Sequence, residues 1–150
     1  MTDTNIVEVS VHIAALPETV FPYFTDPARF VRWMGSDATL EATPGGIYRV
    51  RMRDGVQTEG EFVEVEPPRR LVFTWGWTGD GEVPPGASRV VITLEPRDGG
   101  TQVVLRHHGL PDGQRDHHRA GWDMYIGRLV TCLAGGDPGP DPNSSPEGGQ

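Results

Sequence analysis

Cysteine is almost absent. Cys132 is the only one in 150 residues, which excludes an intrachain disulfide framework and is too few for a cysteine-based zinc site. Apolar runs long enough to cross a bilayer are also missing. The opening stretch, MTDTNIVEVSVHIAALPETV, starts acidic and has no unbroken apolar segment of signal-peptide type. A cytoplasmic protein without a membrane span is therefore expected. There is no basic excess either. The net charge is −8, which makes the chain a poor partner for phosphate backbones, so no nucleic-acid role is expected. Gly45 and Gly46 do not lead into a helix, so they form no phosphate loop, and no nucleophile elbow occurs. No internal repeat is visible.

Glycine and proline are plentiful instead, at 20 and 14, and they dilute the apolar share to 36%. Many crowd into GGDPGPDPNSSPEGGQ, which lacks any large apolar residue and cannot offset its ordering entropy. The expected organisation is one domain over residues 1–134 and a disordered tail over 135–150. The remaining length suffices for a real core.

Periodicity sets the elements. IVEVSVHI puts Val7, Val9, Val11 and Ile13 on one apolar face, a half-buried strand. Two short helices follow, one opening at Pro17 and one capped by Asp26 with Pro27 at its first position. The chain then reads as strands between turns. In GIYRVRMRDG, Tyr48, Val50 and Met52 face one way and Arg49, Arg51 and Arg53 the other, with Asp54-Gly55 as a hairpin signal. Gly60 marks a candidate bulge in the next strand. Pro67-Pro68 breaks the ladder, and LVFTWGW then places Leu71, Phe73, Trp75 and Trp77 on a single face. A hairpin turns at RDGG. Finally His118, Trp122, Ile126, Leu129 and Leu133 recur at helical spacing, with Tyr125 and Val130 flanking, in one long amphipathic helix from Asp112 or Gln114 to Leu133. Gly121 beside Trp122 suggests close backbone approach. Cross-strand pairs between the arginine face and Glu59, Glu61, Glu64 and Glu66 account for both charge sets.

The histidines carry the chemical options. His107 is in phase with Val103 and Leu105 and points inward, and His118 lies on the apolar stripe of the helix, so the two can meet. No third ligand accompanies them, so neither a metal nor another cofactor is expected. His107 is the one candidate acid/base, since imidazole titrates near neutrality. The competing reading is a histidine satisfied by a polar neighbour.

The order of motifs WMGSDATLEATPGGIYRVRM, EGEFVEVEPPRRLVFTW, GGTQVVLRHHGL and HHRAGWDMYIGRLV resembles the START/SRPBCC superfamily, in the subgroup of the activator of the heat-shock chaperone ATPase. The resemblance covers roughly residues 6 to 134. It implies an α+β helix-grip fold: a curved antiparallel sheet of about seven strands around a long C-terminal helix, with two short helices after the first strand. It also implies a concave face lining an internal cavity for a small hydrophobic ligand. Trp33, Tyr48, Met52, Phe73, Trp75, Trp77, His107, His118, Trp122 and Tyr125 are its expected lining. Two alternatives stay open. One is an enzyme of the polyketide aromatase/cyclase type using His107. The other is a co-chaperone or interaction module with a protein partner or a second copy. Only a short leader precedes Ile6, so direct chaperone activation is not the leading expectation.

Overall fold

The computed structural model of the chain describes residues 6–52, 57–78, 83–110, 113 and 115–139. Its elements run β1 (Ile6–Ile13), α1 (Pro17–Val20), α2 (Pro22–Thr25), α3 (Pro27–Phe30), β2 (Asp37–Leu40), β3 (Ile47–Arg51), β4 (Gln57–Glu66), β5 (Arg70–Trp77), β6 (Ser88–Arg97), β7 (Gly100–His108) and α4 (Arg115–Leu133). The seven strands pair antiparallel in the order β1-β7-β6-β5-β4-β3-β2. Strands β2 to β7 pair in sequence order, as short connections dictate. Strand β1 alone leaves that order and lies beside β7, so α1, α2 and α3 fill the crossover from β1 to β2. The turn from β6 to β7 is the expected one: Asp98 and Gly99 both take positive φ, at 51° and 78°, the geometry of a tight two-residue hairpin.

Three one-turn helices replace the two expected. Each begins with a proline at its first position, Pro17, Pro22 and Pro27. A proline has no N–H to donate, so each one restarts the helix rather than continuing it. Asp26 caps the third, accepting from the Ala28 N–H at 3.2 Å.

The register shift in β4 falls between Phe62 and Glu64, not at Gly60. Gly60 has another task. A Cβ there would lie 1.9 Å from the Thr74 carbonyl oxygen, so no side chain fits. Tyr48 sits directly opposite Gly60, and its ring stacks on Phe73 of β5 at 4.2 Å. The glycine beside Trp122 is different. A Cβ at Gly121 meets no atom within 4 Å, so the close approach expected there is absent.

Helix α4 lies over one face of the sheet and buries Trp122, Tyr125, Ile126, Leu129 and Cys132. Arg119 ties it to β1, donating to the Glu8 carbonyl at 3.1 Å. Arg128 is also buried. It donates to the carbonyls of Trp33 at 2.9 Å, Pro138 at 3.1 Å and Gly139 at 2.8 Å. These bonds hold the segment after α4, as far as Gly139, against the early helices. The outer face carries half-exposed pairs, Arg49–Glu59 at 3.2 Å, Arg70–Glu64 at 3.0 Å and Arg106–Glu8 at 3.1 Å. Such pairs contribute little stability. Arg53, the Asp54-Gly55 turn, the helix-start positions Asp112 and Gln114, and tail residues 140–150 lie outside the described residues.

Candidate functional site

Strand β5 positions the centre of the site. Period-two alternation turns Leu71, Phe73 and Trp75 inward, and Trp75 is only 2% exposed. Trp77 continues the same face but is half-buried, because it lies at the end of the strand under the first turn of α4. Around Trp75 stand His107 at 4.8 Å, Trp77 at 5.2 Å, His118 at 5.3 Å and Trp122 at 6.5 Å, measured between ring centroids. Most of these contacts are edge-to-face, the arrangement favoured by ring quadrupoles.

A chain of hydrogen bonds threads the cluster. The Trp122 indole N–H donates to Nδ1 of His107 at 3.0 Å. An indole can only donate, so Nδ1 carries no proton and Nε2 of the neutral ring does. Nε2 then donates to Ser88 Oγ at 2.8 Å, and that hydroxyl donates to the Trp75 carbonyl at 2.7 Å. His107 has no exposed surface. Burial pushes its pKa from the ordinary 6.5 down to about 3, with His118 and His108 acting in the same direction. The ring is therefore neutral at physiological pH with both nitrogens engaged. That is a poor state for a general base, which needs a free lone pair within reach of substrate. Trp77 donates to Nε2 of His118 at 3.3 Å, so β5 and α4 are joined by polar as well as apolar contact.

The structure brings together most of the residues expected to line one site. Tyr48 and Phe73 form one stack, and Trp75, Trp77, His107, His118 and Trp122 form the adjoining cluster. Trp33 stands apart among the short helices, packed on Phe24 and Phe30 and donating to the Tyr23 carbonyl at 2.9 Å. Phe30 links it to Tyr48 at 6.3 Å. Met52 is buried beyond the end of β3, and Tyr125 is buried on α4. These side chains lie between sheet and helix. Among the described residues, depressions of about 260 Å³ and 400 Å³ open around Thr74 and Gly86. The first reaches Tyr48 and the second reaches Ser88.

Three polar residues of this interior were not singled out from sequence. Ser88 completes the His107 chain, Thr58 is fully buried, and Arg128 clamps the C-terminal segment. Ser88 shares phase with Val90, Ile92 and Leu94, and Thr58 with Phe62, so alternation placed both inward. Their partners on other strands carried no sequence signal.

Residues 14–134 match the family described as Activator of Hsp90 ATPase homolog 1-like protein. The chain belongs to the AHSA1 family. The curved seven-stranded sheet closed by α4 is the helix-grip fold of the START/SRPBCC superfamily. An AHSA1-like protein of Rhizobium etli, solved in solution by NMR, is 40% identical over 100% of this chain and 97% of its own, with a TM-score of 0.72. DynU16, from the dynemicin biosynthetic locus, is 30% identical over 91% of this chain and 49% of its own, with a TM-score of 0.79. The human Activator of 90 kDa heat shock protein ATPase homolog 1 is 28% identical over 73% of this chain. This AHSA1 chain spans 31% of the length of that relative. Among the described residues, no helix of the AHSA1 fold is long and apolar enough to cross a membrane.

Proposed function

We propose that this domain binds a small hydrophobic molecule between the sheet and α4. The observation that carries the reading is the continuous aromatic wall of Trp122, Trp75 and Trp77. It runs from the interior to a half-exposed indole at the end of β5. Aliphatic side chains fill a core as well. Stacked indoles with one edge at the surface also suit a flat apolar guest. A guest enters by displacing Trp77 from His118 and taking its place against Trp75, so entry and displacement occur together. The biosynthetic locus of DynU16 supports the same class of function, the handling of a small organic molecule. The cytoplasmic location expected from the sequence belongs to this proposal.

His107 is assigned a positioning role and no acid/base role, since both ring nitrogens are bonded within the protein. That leaves the cyclase reading without His107 as its acid/base. The protein-partner reading, suggested by the curated activators, finds no apolar docking patch among the described residues. Leu16, 57% exposed, is the single large apolar side chain that is exposed among the described residues.

Titration with aromatic and fatty-acyl compounds, followed by tryptophan emission, tests the proposal. A saturable change is expected, and Trp77→Ala should alter its amplitude. The absence of a saturable response across the panel, from protein with a cooperative unfolding transition, overturns it.

A further inference from the structure

Three polar atoms in the aromatic interior are buried without a hydrogen bond: Tyr48 Oη, Thr58 Oγ1 and Trp75 Nε1. They are not scattered. Tyr48 on β3 lies opposite Gly60 of β4. Thr58 is two residues from Gly60 on the same strand and faces the same side. On β5, Gly76 pairs with Glu59, which places Trp75 beside Gly60 from the other edge. The three side chains thus lie around Gly60 in the ladder, where no side chain fits. Burial raises the Tyr48 phenol pKa, and hydrogen-bonding approach by Thr58 and Trp75 offsets part of the rise, so the three groups face one another although none completes a bond of good geometry. An unbonded buried polar group is costly, and native interiors keep few of them. Three around one point in an apolar wall is the arrangement of a recognition group awaiting its partner.

We propose that Tyr48, Thr58 and Trp75 form the polar end of the ligand site and receive a neutral acceptor oxygen, such as the carbonyl of a planar apolar ketone. This rests on the ligand-binding reading above. The chemistry of the donors selects the oxygen. An indole N–H can only donate, so the incoming group must accept. Both hydroxyls can turn to donate to the same oxygen or to each other. All three groups are neutral, so a carboxylate would be desolvated there without a countercharge from them. The apolar body of the ligand lies against Phe73 and Trp75.

A matched pair of probes tests the inference: 2-acetylnaphthalene, and 2-isopropenylnaphthalene, in which a methylene replaces the oxygen. Calorimetric titration should show the ketone binding about tenfold or more tightly, the worth of one or two net hydrogen bonds. Tyr48→Phe and Thr58→Val should each narrow that ratio, chiefly by weakening the ketone. Both variants remove an unbonded hydroxyl, so the melting temperature of the free protein should hold or rise. Equal binding of the two probes overturns the inference while leaving the ligand reading standing, the three groups then holding no more than a water molecule. So does a ketone preference that survives both variants. A drop of about 5 °C or more in the free variants, roughly the loss of a bonded group, overturns it as well. If neither probe binds the folded protein and the wider panel is silent too, the ligand reading falls and this inference with it.

Discussion

The indole N–H of Trp122 lies 3.0 Å from Nδ1 of His107, so the long helix decides the tautomer of a histidine on β7. The consequence passes along the chain to Ser88 and the backbone of Trp75. The polar groups of this interior work as a bracket between helix and sheet.

Acid should therefore destabilise the fold well before the carboxylates titrate. Folded His107 stays neutral down to about 3, whereas the unfolded chain takes up the proton near 6.5. Between those values the unfolded state binds more protons, so stability falls as pH falls, by at most about 1.4 kcal/mol per unit from this group. Above the ordinary histidine pKa the group adds no pH dependence. Urea unfolding between pH 7 and 5 reads the slope, which His107→Gln should flatten. An equal slope in the two proteins would show that His107 titrates in the folded state as it does in the unfolded chain.

Replacing Trp122 separates packing from hydrogen bonding. Trp122→Phe keeps much of the apolar contact but strands Nδ1 of His107, at an expected cost of about 1–3 kcal/mol. Trp122→Ala should cost about 3–5 kcal/mol, the range for deleting a buried large aromatic. Nitrogen NMR of the wild-type imidazole should show the Nε2–H tautomer, and the other tautomer would refute the bond as described.

The folded unit is proposed to end near Gly139, with the remaining tail dispensable. A chain ending at Ala134 loses two of the carbonyls that Arg128 engages, those of Pro138 and Gly139. The loss should be about 1–3 kcal/mol, or a fall in melting temperature of roughly 5 °C. A chain ending at Gly139 should melt within about 2 °C of the full length. Equal melting of the two shortened chains would mean that the Arg128 clamp contributes nothing.

Two glycines should respond to alanine with opposite signs. Gly60→Ala drives a methyl into the Thr74 carbonyl and should cost about 2 kcal/mol or more. Gly121→Ala enters open space in a helix interior and should add about 0.5–1 kcal/mol. Chemical denaturation of both variants checks this. A loss at Gly121 would show that α4 packs closer there than its surroundings indicate.

Alternation and helical period were enough to place β1, β3, β5 and the last helix, because each side chain's inward or outward direction depends only on local backbone geometry. The Asp98-Gly99 turn and the helix-opening Pro17 and Pro27 were legible for the same reason: their preferences act within a few residues. That local evidence did not separate two short helices from three, since Pro22 is equally able to end a turn or begin one. It also placed Trp75 and His107 inward without saying what they would meet. The inward phase of LVFTWGW is the same for a cavity wall and for a packed core. Only the meeting of β5, β7 and α4 decided that Trp75 would be enclosed by His107, His118 and Trp122. The Arg128 clamp and the unbonded trio of Tyr48, Thr58 and Trp75 were decided at the same level. Their members lie on different elements, and hydrogen-bond satisfaction depends on atoms brought together from distant parts of the chain, which periodicity does not encode.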